Sequence, residues 1–268
     1  MQYRTDLAIE NHELIEEARA RATGYIKKQQ QKDEDICVTE IIITDEQGEI
    51  AFGKPKGTYI TIEVDGILEQ KDKIKERAAH TLAEELKKMI KFDYYLKVLV
   101  VVLGNEKAGG AWEMANVSGF NPSVTGVTGM ETADLIEKVT SMVHPDVVLI
   151  VDSLAARNID RMSTTIQLCD TGIEPGAGMG NRRKAISEET LGCKVVSIGV
   201  PTVIDSRNLI IEAAQATEFA DEKKIDKYFK EKELNMIVTS TDIDEIIKDF
   251  SDIISNAINI TLHPGIYS

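Results

Sequence analysis

Apolar and polar positions repeat with two different periods along this chain, and each change of period marks an element. Two short apolar runs, Asp146–Val151 and Lys194–Val200, have the length and β-branched content of buried strands. Leu96–Leu103 (LKVLVVVL) is a third and fits a central strand covered on both faces. Cys37–Thr44 and Gly57–Val64 alternate with period two. With Ile50–Gly53 they predict an antiparallel or mixed sheet edge, and Asp45 to Gly48 predict a turn. Helical spacing runs over Glu10–Gln31, Asp72–Ile90, Glu131–Val143, Ser206–Thr217, Asp221–Lys232 and Thr241–Ile258, the last with Thr241 as its N-cap. Residues 1–8 predict a mobile arm, and Glu106–Thr128, glycine-rich and holding the single Trp112, predicts a loop.

Strands alternating with helices predict an α/β fold: three layers, a mixed but mostly parallel sheet flanked by helices. No repeat or low-complexity linker divides the sequence, so residues 1–268 are expected to form one domain.

Charge and cysteine usage narrow the function classes. A net charge of −14 argues against direct nucleic-acid binding through a basic surface. No run approaches the ~18 apolar residues of a membrane span, and the N-terminus lacks a signal-peptide pattern, which predicts a cytoplasmic protein. Cys37, Cys169 and Cys193 lack metal or disulfide spacing, and His12, His80, His144 and His263 form no HxxxH pair, so neither a metal nor another cofactor is expected. One stretch departs from the acidic average: Arg157, Arg161, Arg182, Arg183 and Lys184 give Ser153–Lys184 a local basic excess. That patch suits either an acidic substrate or a solvated face.

Asp152 follows the run VVLIV directly. A carboxylate there either caps a following helix or acts as acid or base at a strand end. The glycines of Gly176–Asn181 lack the GxGxxG order of a dinucleotide loop, no GxSxG occurs, and Ser153, Cys169 and Cys193 have no evident histidine partner. Carboxylate chemistry is what remains, since neighbouring carboxyls separate into an acid and a base.

The block VDSLAARNIDRMSTTIQLCDTGIEPGAGMGNRRKAISEETLG, with VVSIGVPTVID after it, closely resembles the germination proteases of endospore-forming bacteria. RTDLAIE at Arg4–Glu10, GKPKGTYITIE at Gly53–Glu63, VLGN at Val102–Asn105, GVTGMETADLI at Gly126–Ile136 and MIVTSTDIDEII at Met236–Ile247 extend the resemblance over nearly the whole chain. It implies a fold similar to hydrogenase-maturation proteases and an atypical aspartic endopeptidase that degrades small acid-soluble spore proteins at germination. It further implies a homotetramer in the forespore or spore core. Asp152 matches one of two proposed catalytic aspartates. The resemblance also implies a self-processing zymogen cut at a substrate-like site, here between Asp6 and Leu7 with Ala8 and Glu10 following, so that residues 1–6 are the candidate propeptide. Arg157, Arg161, Arg182, Arg183 and Lys184 are then candidates to orient the substrate's acids.

The second aspartate is missing. Where the family has a WNVTPDALGP-like segment after GN, this chain has the shorter EKAGGAWEMANVSGFNP, whose only nearby acids are Glu106 and Glu113. Three readings stand beside one another: a substitute carboxylate such as Glu113, an impaired relative that binds spore proteins without cutting them, or a segment absent from this sequence. A metal-dependent maturation protease finds no ligand trio here.

Overall fold

The computed structural model describes residues 3–67, 71–91, 95–103, 117–122, 131–176, 183–217 and 221–263. A single nine-stranded mixed sheet organises them, in the order β1-β2-β3-β7-β8-β6-β4-β5, with β9 on β8. Its strands are β1 Tyr25–Gln31, β2 Ile36–Ile43, β3 Gly57–Val64, β4 Val98–Val102, β5 Val117–Phe120, β6 Val147–Ala156, β7 Thr165–Cys169, β8 Lys194–Asp205 and β9 Ile237–Val238. Pairings among β4, β5, β6 and β8 are parallel and all others antiparallel, so the antiparallel share is larger than the sequence predicts. The added antiparallel strands are β1, β7 and β9. β4, expected at the centre, lies next to the β5 edge, yet helices cover both its faces and it is buried throughout.

Helices α3 (Lys71–Met89) and α8 (Ile243–Leu262) cover one face of the sheet. Their Leu82, Leu86, Phe250 and Ile253 pack on Ile60, Ile62, Leu149 and Ile198. The opposite face is divided. Helices α1 (Ala8–Glu17) and α2 (Glu46–Phe52) cover its antiparallel half, around Ile41, Tyr59 and Leu154. Helix α4 (Thr132–Val143) and the short α5 (Glu188–Leu191) cover its parallel half, around Leu99, Val148 and Ile150. Helices α6 (Ser206–Ala216) and α7 (Glu222–Glu231) follow β8 and pack on each other.

Several local expectations are corrected. The helix predicted over Glu10–Gln31 stops at Glu17, and its second half becomes β1, because Gly24 turns the chain at positive φ and β2 supplies the ladder. Lysine and glutamine favour helices in isolation, but paired backbone overrides that preference. Asp45 is a helix cap, its carboxylate accepting from the Gln47 and Gly48 N–H groups, so Ile50–Phe52 is helical. Asp242, not Thr241, takes the N-cap position of α8. Inside the segment expected to be all loop, β5 pairs with β4. The arm expected to be mobile is docked: Leu7 and Ala8 are fully buried.

Candidate active site

Asp152 sits inside a strand, which is the first correction at the site. β6 continues through it to Ala156, so no helix follows for it to cap. β8 likewise runs past Pro201, which is accommodated at a bulge: Leu154 pairs with Pro201 and Ala155 with Val203, leaving Thr202 over. The strand-end logic survives in part. Neighbouring β4 stops at Val102 beside Val151, and the Leu103 N–H donates to the Val151 carbonyl at 2.8 Å. β4 therefore ends at the level of Asp152.

Across the sheet, Gly199 of β8 pairs with Asp152 on β6 and with Gln167 on β7. Register partners project from the same face, so Asp152 and Gln167 flank a strand position that has no side chain. A Cβ at Gly199 would lie 2.4 Å from Leu154 Cγ and Cδ1, so the Leu154 side chain occupies the space above this glycine.

The N-terminal segment docks on β6 beyond Asp152. The Asp6 N–H donates to the Ala155 carbonyl at 2.9 Å, and the Asp6 carboxylate accepts from the Ala155 N–H at 2.9 Å. The side chain thus takes the ladder position that a backbone carbonyl would fill. The Asp6 carbonyl accepts instead from Gln167 Nε2 at 3.0 Å, while Gln167 Oε1 accepts from the Ala8 N–H at 2.7 Å. Asp6 and Leu7, the candidate processing pair, are therefore gripped from both sides, with the Leu7 side chain in the core. Arg4 extends the grip by pairing with Asp205 at 3.2 Å, and its carbonyl accepts from Asn208 at 2.9 Å. Beside the segment opens a cleft of about 1050 Å³, lined among others by Tyr3, Asp6, Lys54, Leu154, Gln167 and Cys169.

Glu10 fastens the other end of the segment. Fully buried, it accepts from the backbone N–H groups of Arg157 and Asn158 at 2.7 and 2.9 Å and from the Thr5 hydroxyl. Burial nonetheless raises its pKa, and these hydrogen bonds only partly offset the desolvation.

Asp152 is half-buried, and its pKa is pushed up to about 7. Desolvation is the main cause, the Ser153 N–H works against it, Asp6 adds to it, and Arg183 opposes it. A carboxyl at that value exchanges its proton near neutrality, as an acid/base catalyst must.

The basic candidates divide. Arg183, exposed, is the cation whose charge acts on Asp152. Arg157 pairs with Glu17 at 2.9 Å and lies over the Tyr3 ring at 4.5 Å. Arg161 forks onto Glu13 at 2.6 and 2.7 Å and reaches Glu63 at 3.1 Å. Both arginines hold α1 and the N-terminal arm. Lys184 is turned to Asp134 and Glu137 of α4. Arg182, Glu106, Glu113 and Trp112 lie outside the described residues. Among the described residues, no group of three His, Cys, Asp or Glu could hold a metal ion, and no helix is long and apolar enough to cross a membrane.

The sequence reading missed Gln167 and the clasp around Glu10. A lone glutamine inside the apolar string TIQLC was the available signal for the first. Glu10 lies in the candidate processing motif, but the backbone donors it collects, at Arg157 and Asn158, are 147 and 148 residues away.

Comparison with known proteins decides the family. The profile of the germination proteases matches residues 4–113 and 110–233. The chain belongs to the germination protease family. It is 37% identical to the germination protease of Caldanaerobacter subterraneus subsp. tengcongensis, covering 98% of this chain and 95% of that one. The Clostridium tetani enzyme is 34% identical, covering 99% and 97%, and that of Bacillus cereus strain AH187 is 30% identical, covering 97% and 93%. The alignment to the first spans 310 positions against 268 residues here, so gaps open within this chain. A germination protease implies a protein substrate.

Proposed function

We propose that this germination protease is an endopeptidase of small acid-soluble spore proteins, made as a zymogen that cuts itself between Asp6 and Leu7. The observation that carries the reading is the docking of Asp6 on β6 three residues beyond Asp152, with its own acidic side chain bonded to the Ala155 N–H and its charge acting on Asp152. A substrate's acidic residue takes the place of Asp6 once residues 1–6 are released. The cleft beside the segment gives an extended chain room to enter.

The mechanism is an atypical aspartic one. Ionised Asp152 takes a proton from water as the water oxygen attacks the scissile carbonyl carbon, and returns it to the leaving nitrogen. The family's partner aspartate has no counterpart, so Glu106 and Glu113 are the candidates for the partner carboxyl. Arg183 assists by favouring the ionised form of Asp152. Arg157 and Arg161, with their ion pairs to α1, hold the zymogen segment in place. From the family resemblance we extend the reading to a homotetramer acting in the spore core. Chromatography with light scattering should then return four times the 29.7 kDa of the chain.

The experiment is incubation of purified protein with a small acid-soluble spore protein, followed by mass spectrometry of the fragments. Cuts after acidic residues are expected, slowed ~10²–10⁴-fold in Asp152→Asn. Cleavage at undiminished rate in that variant would remove Asp152 from the mechanism, and absence of cleavage by the parent would overturn the endopeptidase.

A further inference from the structure

We propose that Gln167 is a catalytic residue, whose side-chain amide donates to the scissile carbonyl oxygen and holds the negative charge that develops there when water adds. This role rests on the reading that the bond between Asp6 and Leu7 is the one cut.

Gln167 lies in β7, whose five residues are all buried, and is 6% exposed. An amide in that position is costly unless both its ends are paired. Both partners come from residues that straddle the bond: the Asp6 carbonyl, which receives Nε2–H at 3.0 Å, and the Ala8 N–H, which donates to Oε1 at 2.7 Å. With its oxygen held by Ala8, the amide has a fixed orientation, and its N–H is aimed at the Asp6 carbonyl.

The segment is arranged so that this carbonyl faces Gln167 and not the neighbouring strand. In an ordinary ladder it would pair with the facing strand. Here the Asp6 carboxylate takes the Ala155 N–H instead. The acidic side chain at this position therefore does more than set specificity, because it releases the carbonyl to Gln167. Asp152 and Gln167 occupy the two register positions beside Gly199, whose missing side chain leaves the space that Leu154 fills, so an acid/base group and a hydrogen-bond donor stand on one face of the sheet on either side of β8.

In the reaction, the water oxygen bonds to the Asp6 carbonyl carbon while its proton passes to Asp152, and the carbonyl π pair moves onto the oxygen facing Gln167. When the carbonyl re-forms, the bond to the Leu7 nitrogen breaks and that nitrogen takes the proton from Asp152. One water is consumed, leaving a carboxyl group on residue 6 and an amine on residue 7. A preorganised donor acts on the step in which this charge appears.

Two variants and two measurements test the role. Gln167→Glu keeps an acceptor for the Ala8 N–H and, at a pH where its carboxyl is ionised, removes the donor, while Gln167→Met keeps the volume and removes both. In pulse-labelled full-length protein, the rate at which Leu7 appears as a new N-terminus should fall ~10²–10³-fold in each variant. In Asp152→Asn protein carrying a ¹³C-labelled Asp6 carbonyl, isotope-edited infrared spectra should show the carbonyl stretch moving to higher frequency when Gln167→Met or Gln167→Glu is added. The infrared reading needs only folded protein, shown by a cooperative thermal transition, and reports whether Gln167 donates to that carbonyl, while the processing rate reports whether the bond acts in the reaction. Processing at parental rate in both variants, or an unmoved carbonyl band, overturns the role of Gln167 while self-processing stands. Failure of the parent chain to process itself overturns the self-processing reading and this role with it.

Discussion

Asp152 and Gln167 flank Gly199 on one face of the sheet, and each is a polar group that burial makes expensive. For Asp152 the cost appears as a pKa raised from 3.8 to about 7. The folded protein holds this proton more tightly than the unfolded chain. Its contribution to stability is therefore full below about pH 4 and is lost as pH rises through 7. Asparagine does not titrate, so the Tm of Asp152→Asn relative to the parent should climb between pH 4 and pH 8. A difference independent of pH in calorimetry would show that the carboxyl titrates at its ordinary value. The same group predicts that cleavage falls on the acid side of about pH 7, where Asp152 is protonated and cannot act as base. A rate profile flat from pH 5 to 8 would contradict this.

At the scale of elements, the decisive contact is between α1 and the end of β6. The Glu10 carboxylate collects the N–H groups of Arg157 and Asn158, and Arg161 bridges Glu13 of α1 to Glu63 of β3. Glu10→Ala leaves two buried donors without an acceptor and should destabilise the protein by about 2 kcal/mol. It should also loosen the segment before α1, which hydrogen exchange at residues 3–9 will register as lost protection. Unchanged exchange there would mean that Gln167 and Ala155 suffice to hold the arm. The charge pattern of α1 was visible in the sequence. Its length was not, because the polar residues from Lys27 to Gln31 read equally well as helix until β2 is known to lie alongside them.

For the whole molecule, a net charge of −14 sets the background. Most ion pairs with exposed partners, such as those of Lys184 and Lys224, contribute little. Self-repulsion should then dominate the response to salt, and Tm at neutral pH should rise between 20 and 200 mM NaCl as that repulsion is screened. A fall over that range would assign more of the stability to ion pairs such as Arg161 with Glu13. The three layers place this charge outside and leave an apolar sheet within. The site forms where the two helical covers of one face part, between α1 and α4.

The sequence by itself determined the family, the α/β class, most of the helices and the apolar strands, because each is written in a local period or a contiguous motif. It also marked Asp152 and the pair Asp6 and Leu7, though as separate signals. Only the tertiary structure decided that the Asp6 segment docks on the strand that carries Asp152, that Asp152 lies within that strand, and that Gln167 stands across Gly199 from it. Register is the physical reason. Which residues stand on either side of Gly199 depends on how three strands distant in sequence are aligned, and a polar residue on one strand carries no local trace of its partner on another.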